Sequence, residues 1–239
     1  LAIYLNDAYP SLDIEYYSCD TGKELDETYQ LIKNLEIYLG KSIKVLNAVE
    51  NEDLNPFDHF LNMYGGYLPS TMSRWCTKSL KLAPFEKYIA GDQPIVSYVG
   101  IRGDEFREGY ISKKPNVQSI FPFRKNIWSV DVVKNVLKNS NKDFIVNLYK
   151  EMATSKSKDR GLKILEADIS PNFTLDTKLD SILDHSIVDF NQVVFAYLKT
   201  TAYPLSTCDD FPLVDNSDIL VRDDIFRILE NSGVGIPAY

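Results

Sequence analysis

The chain has 239 residues, 44% hydrophobic and 25% charged, ordinary globular values that exclude disordered and fibrous classes. Its 26 Lys and Arg against 34 Asp and Glu give a net charge of −8, which argues against a free-standing nucleic-acid binder. Three cysteines in a chain this long, Cys19, Cys76 and Cys208 with no CxxC, do not make a disulfide framework, and no apolar stretch approaches a membrane span. The expectation is a cytoplasmic protein with no membrane association.

Leu1 to Ala8 carries Leu1, Leu5 and Ala8 at helical spacing and is stopped at Tyr9-Pro10-Ser11. Asp13 to Ser18 has the β-branched and aromatic residues of a strand, and the turn Asp20-Thr21-Gly22 follows. A helix is predicted from Leu25 to Leu39, with Tyr29, Ile32, Leu35 and Leu39 on its apolar face and Gly40 as its stop. Ile43 to Leu46 is the next strand, and an irregular aromatic stretch with Phe57, Phe60, Tyr64 and Gly65-Gly66 comes after it. A helix over Thr77 to Ile89 and a strand over Ile95 to Val99 complete the first part. Alternating strands and helices predict one parallel α/β sheet with helical crossovers, in a domain over residues 1–128. Ligands of such sheets bind beyond the carboxyl ends of the strands, where the turns after Ser18 and Val99 fall.

After Trp128 the pattern becomes mostly helical. Val130 to Leu137, Phe144 to Met152, Leu175 to Leu183, Val188 to Leu198 and Ile219 to Leu229 have helical periodicity, and Ser155 to Arg160 is the most polar linker. Residues 129–239 are therefore expected to form a mostly α-helical extension without repeats.

The charge is uneven. Between Ser70 and Trp128 stand ten basic residues and five acidic ones, a net +5 that leaves −13 for the rest. A cationic island in an acidic chain suits a small polyanion, although chance clustering on a solvated face gives the same count.

Three short constellations could carry chemistry. Asp20-Thr21-Gly22, with Glu24, Glu27 and Thr28, turns sharply at a glycine and can offer main-chain groups to a base or ribose, or can simply cap the next helix. Arg74-Trp75-Cys76-Thr77 with Lys81 sets a guanidinium, an ammonium and helix amides where a phosphate could sit. Gly100-Ile101-Arg102 with Glu105 follows a strand and places Arg102 where an oxyanion could approach. Cys76, beside Arg74 and Lys78 near a helix start, has surroundings that favour a thiolate, against the commoner fate of a buried inert cysteine. Cys19 is expected to pack, and Cys208 is a loop thiol, a sulfur relay or a cluster ligand. His59 and His185 have no ligand-spaced partners, so no metal site is predicted from protein side chains. Lys113-Lys114 and Arg124-Lys125 are solvated surface or contacts for a nucleic acid or a phosphate tail. Tyr64, Tyr67 and Trp75 are core rings, of which one could stack on adenine.

In this order and spacing the three motifs resemble the PAPS reductase family of adenine-nucleotide α-hydrolase-like proteins, over roughly Leu1 to Trp128. The runs Tyr17-Ser18-Cys19-Asp20-Thr21-Gly22-Lys23-Glu24-Leu25 and Arg74-Trp75-Cys76-Thr77-Lys78 are most similar to the PAPS-reductase-like component of Dnd- and Ssp-type DNA phosphorothioate-modification systems. The tail from Gly233 to Tyr239 resembles, more loosely, the approach to a cysteine-bearing end in such proteins. The resemblance implies a HUP-type parallel sheet with flanking helices and an ATP pyrophosphatase coupled to sulfur transfer, with Mg2+ accompanying ATP. It implies catalytic roles for Cys76 and Arg102, and nucleotide or phosphate contacts at Asp20, Thr21, Gly22, Arg74, Thr77, Lys81, Gly100, Arg102 and Glu105. The partners it implies are an adenine nucleotide, a sulfur donor such as a cysteine desulfurase, and DNA presented by partner proteins.

Three departures qualify it. The family's Ser-Gly-Gly-x-Asp-Ser phosphate loop is not in this sequence and is expected upstream of Leu1, which falls in mid-helix. Trp75 precedes Cys76 where iron–sulfur APS reductases carry a Cys-Cys pair, so a cluster is not supported. Phe106 stands where many relatives have Ser after the acid, which departs from standard sulfonucleotide specificity; PAPS or APS reduction is the alternative activity. A non-catalytic nucleotide-sensing or scaffold subunit is the alternative from another class.

Overall fold

The computed structural model describes residues 1–49, 54–107, 109–154, 156 and 158–236. It divides the chain into two compact units, Leu1–Gly91 with Asp223–Tyr239, and Asp92–Arg222. These divisions fall away from the change of sequence character after Trp128.

The first unit opens with helix α1 (Ala2–Ala8), strand β1 (Tyr16–Asp20), helix α2 (Asp26–Leu39) and strand β2 (Ile43–Asn47). Asp26 and Glu27 lie in the first turn of α2, where the helix dipole favours negative charge. The helix ends at Gly40, whose φ of +61° suits a residue without a Cβ. α2 connects β1 to β2, and the strands pair in parallel from Tyr16 opposite Ile43 to Asp20 opposite Asn47. Helix α3 (Pro56–Met63) replaces the irregular aromatic stretch expected there. Its signature is local: Asn55 caps the helix by accepting from the Asp58 amide at 3.1 Å, and Pro56 pre-sets the first turn.

The predicted helix over 77–89 is present in two parts. A π-helical segment spans Cys76–Leu82 and runs into helix α4 (Ala83–Tyr88). Pro84 explains the change of winding, because it has no N–H and its ring would collide with the carbonyl four residues earlier. Widening the helix lets the Ala83 amide reach Lys78 O, five residues back, and the proline is accommodated. Phe85 of α4 stacks on Tyr17 of β1 with ring centroids 5.1 Å apart. The C-terminal helix Arg222–Ser232 adds to this unit, where Asn34 of α2 donates to Val234 O.

The second unit contains strands β3 (Ile95–Tyr98) and β4 (Val117–Ile120), then helices α5 (Val130–Leu137), α6 (Lys142–Met152), α7 (Lys158–Glu166), α8 (Leu175–His185) and α9 (Ile187–Leu198). Its core is built on Trp128, Tyr149, Phe121 and Phe190. Trp128 is fully enclosed and donates from Nε1 to Asn191 Oδ1 at 2.8 Å, so the indole is buried with its polar atom satisfied. Lys178 is buried too, and its ammonium donates to the carbonyls of Leu165 and Ala167, closing the end of α7. Desolvation lowers its pKa.

The expected HUP-type parallel sheet is not what forms. Among the described residues the strands make two separate two-stranded parallel sheets, β1 with β2 and β3 with β4. The third predicted strand, β3, does not extend the β1–β2 pair but takes β4, with Ile95 opposite Val117 and Tyr98 opposite Ile120. β4 is absent from the sequence expectation because Val117-Gln118-Ser119-Ile120 does not alternate: all four residues are buried. Helix α7 was likewise hidden in the polar run expected as a linker; Ser155 and Ser157 of that run lie outside the described residues, as do Pro237 to Tyr239 of the tail. No helix among the described residues is long and apolar enough to cross a membrane.

α6 and α7 pack through Gly161, where an added Cβ would stand 2.1 Å from Tyr149 Oη. The Tyr149 hydroxyl cannot easily yield, because it donates to Ser186 Oγ in the buried interior. Helix propensity alone favours alanine over glycine by about 1 kcal/mol. Gly161→Ala is nevertheless expected to destabilise the protein, by about 1–3 kcal/mol of overpacking, in a denaturant titration.

Candidate functional site

The Asp20-Thr21-Gly22 turn leaves the carboxyl end of β1. Asp20 Oδ1 accepts from the Gly22 amide at 2.8 Å and from Tyr29 Oη at 2.9 Å, which fixes the turn against α2. Thr21 donates from its hydroxyl to Glu24 Oε1 at 2.9 Å. Gly22 has φ +76°, and a Cβ there would meet Asn55 Nδ2 at 2.7 Å and Pro56 Cδ at 2.8 Å. Asn55 Nδ2 donates to Gly22 O at 2.7 Å, and the Phe57 amide donates to Thr21 O at 3.1 Å. The start of α3 is thus clasped onto the turn, and both turn carbonyls already serve the fold.

The same helix reaches the second motif. Phe57 packs on Trp75 with centroids 5.2 Å apart, and Tyr64 stacks on the same indole at 5.4 Å and 13°. Trp75 is only 3% exposed and donates from Nε1 to Tyr67 O at 3.0 Å. This ring therefore belongs to the core, whereas Tyr64 remains partly open to solvent.

Trp75 precedes the π-helical segment, which carries Cys76, Thr77, Lys78 and Lys81. Cys76 is a free, half-buried thiol with Sγ 3.9 Å from Thr77 Oγ1. Cys19, from β1, donates its thiol to Lys81 O at 3.4 Å. Burial pushes the Cys19 pKa up, against the opposing pull of the Lys81 charge. Arg74, Lys78 and Lys81 form no ion pair with any carboxylate among the described residues. In the first unit, the structure thus joins Asp20, Thr21 and Gly22 to Arg74, Cys76, Thr77 and Lys81 through α3 and the β1 packing. The linking residues Asn55 and Phe57 were not anticipated, although Asn-Pro followed by Asp58 is a helix-start pattern that could have exposed them.

Gly100, Arg102 and Glu105 lie in the second unit, in the loop after β3. Arg102 Nε donates to Asp104 Oδ1 at 2.9 Å and its terminal nitrogen meets Glu105 Oε1 at 3.1 Å. Arg107 holds the other Glu105 oxygen. An incoming anion would compete with these acids for Arg102. Gly103 is required by close approach: its amide donates to Leu220 O at 2.9 Å, and a Cβ would lie 2.5 Å from Ile219 Cγ2. Cys208 ends a 3-10 turn over Pro204–Thr207, and burial raises the neighbouring Tyr98 pKa to about 12. No group of three or more His, Cys, Asp or Glu positioned to hold a metal ion occurs among the described residues.

No protein-family model and no solved structure matches the chain. An uncharacterized protein of Methanocaldococcus jannaschii is 31% identical over 129 residues, covering 48% of this chain. The chain spans about a quarter, 25%, of that relative's own length.

The Arg102 bond holds the Asp104 carboxyl below its ordinary pKa, and the Arg107 bond, followed by Arg102, does the same for Glu105. A lowered folded-state pKa stabilises the loop above the ordinary carboxylate range, and that contribution is lost as pH falls through the lowered values. Carboxyl NMR titration should therefore give midpoints for both acids below those of free side chains. Arg102→Ala should return Asp104 to the ordinary range; an unmoved Asp104 midpoint would show that the pair does not persist in solution.

Proposed function

We propose that this chain is an ATP pyrophosphatase and sulfurtransferase of the PAPS-reductase-like kind, acting in DNA phosphorothioate modification. The observation that carries the reading is that Arg74, Lys78 and Lys81 flank the free Cys76 in sequence, Lys78 and Lys81 sharing with it a helix wound open to π spacing. Cations without internal partners among the described residues are available to a polyphosphate, and their attraction to it is charge-assisted. A short π-helical stretch inside a helix is frequently a functional feature.

In this reading an acceptor oxygen attacks the α-phosphorus of ATP, the bond to the bridging oxygen breaks, and pyrophosphate leaves. A persulfide sulfur, supplied by a sulfur-donor protein such as a cysteine desulfurase and carried on Cys76, then attacks the activated acceptor. AMP departs with the acceptor oxygen as the outer sulfur bonds to the acceptor. A second thiol, a small-molecule or protein reductant, then attacks Cys76 Sγ, breaking the S–S bond to leave the sulfur on the acceptor and a disulfide on Cys76. Mg2+ would accompany ATP on its phosphates. Arg74 and Lys81 bind the phosphate chain, while Asp20, Thr21 and Gly22 set the wall against which the nucleotide lies. DNA would reach an acidic chain through partner proteins, and three free cysteines suit the cytoplasm.

A second reading is a non-catalytic nucleotide-binding subunit. It is favoured by the turn carbonyls of Thr21 and Gly22 being committed to α3, and by Arg102 being held by its own acids.

The two separate in an ATP-cleavage assay with chromatographic detection of AMP and pyrophosphate. Arg74→Ala and Lys81→Ala should each lower kcat/KM by roughly tenfold or more, as expected for a charged contact worth about 1.5–3 kcal/mol. Cys76→Ser should keep ATP cleavage and lose sulfur transfer. ATP binding without any AMP formation would leave the second reading standing, and thiol-dependent sulfite release from PAPS would replace both.

A further inference from the structure

The second unit holds a cleft of about 460 Å3 between the start of β4 and the start of α5, large enough for a small metabolite. Its walls include Lys113, Gln118, Ser129, Asp131, Lys134 and Tyr203. Lys113 and Gln118 stand at the amino end of β4, whereas Gly100 to Glu105 follow the carboxyl end of β3, its parallel partner. This cleft is therefore a different place from the loop that holds Arg102. We infer that it binds a small phosphate ester.

The chemistry of the walls selects an acceptor-rich ligand. Lys113 and Lys134 are exposed, and neither pairs with a carboxylate among the described residues. Asp131 forms no ion pair with either lysine; its oxygens accept from Ser129 Oγ at 2.6 Å and Tyr203 Oη at 3.4 Å. That arrangement also spends the Ser129 hydroxyl. Ser129 is the N-cap of α5 but makes no side-chain cap bond, so the first amides of this eight-residue helix lack their usual side-chain acceptor. Val130 and Asp131, which carry two of those amides, line the cleft.

Gln118 supplies an independent sign. It is 2% exposed, its Oε1 accepts from the Leu205 amide at 3.0 Å, and its buried Nε2 has no partner among the described residues. A buried donor left without an acceptor is costly, and Gln118 is one of the residues that line the cleft. Ammoniums, helix amides and an amide N–H are all donors, so an oxyanion is the complementary group. Lys113, in the loop before β4, and Lys134, in the last turn of α5, add two positive charges to the walls, which favours the dianionic phosphate over a carboxylate. The remaining volume and the hydroxyl-lined walls leave room for a polar ester group.

The test uses the full chain, with ribose 5-phosphate and inorganic phosphate as probes and acetate as the monoanion control. Calorimetry should show saturable binding of ribose 5-phosphate and phosphate, with acetate weaker, and the amide resonances of Val130 and Asp131 should shift. Lys113→Ala combined with Lys134→Ala, both exposed positions, should weaken the affinity by about tenfold or more. Arg74→Ala should leave it unchanged. Absent binding, or binding indifferent to the lysine variants, overturns the proposal. Binding lost in Arg74→Ala but kept in the double lysine variant also overturns it, while leaving the anion site of the first unit intact.

Discussion

The first unit depends on the left-handed backbone at Gly22. Only a residue without a Cβ lets the Asp20-Thr21-Gly22 turn come as close to Asn55 and Pro56 as it does. That closeness admits two main-chain bonds, from Asn55 to Gly22 O and from the Phe57 amide to Thr21 O. Asn55 uses its oxygen to start α3 and its nitrogen to hold the turn, so one side chain couples a helix to a strand end. Phe57 then carries the connection to Trp75, and through it to the segment bearing Arg74 and Cys76. The motifs are thus held through a helix that neither of them contains.

Charge is distributed by the same logic. Arg102 and Arg107 are satisfied by acids two or three residues away, whereas Arg74, Lys78 and Lys81 have no carboxylate partner among the described residues. The difference follows from local sequence: Asp104 and Glu105 lie within one turn of Arg102, while Ser70 to Pro84 contains no acid at all. Arg74 ahead of the widened helix and Lys78 and Lys81 on it are therefore not neutralised by acids of their own stretch. Pro84 contributes by forcing that widening, so a residue that merely looked like a late helix break shapes the segment.

In the second unit the burial of polar groups decides the architecture. Trp128 donates its indole N–H to Asn191 Oδ1 in the interior, Lys178 finishes α7 with its ammonium, and Tyr149, Ser186 and Asp189 hydrogen-bond in series. Each removes a desolvation penalty that would otherwise oppose packing. Such pairing is incomplete at Gln118 Nε2 and Asn191 Nδ2, and Gln118 shares a cleft lining with Lys113 and Lys134.

Sequence alone determined the elements with strong period or clear punctuation. α2 with its acidic first turn and Gly40, the strands at Ile43 and Ile95, and the amphipathic α5, α6, α8 and α9 arise from residues a few positions apart. It also brought out the three motifs and the cationic island, since those are matters of order and count. It did not determine which strands pair. β4 is short, buried and partly polar, and its pairing with β3 in place of a single sheet depends on contacts between residues about twenty positions apart. Nor could it tell that Arg102 is held by its own acids while Arg74 is not. Spacing encodes local geometry, but strand partnership and the commitment of a charged side chain are settled only when distant segments compete for the same groups.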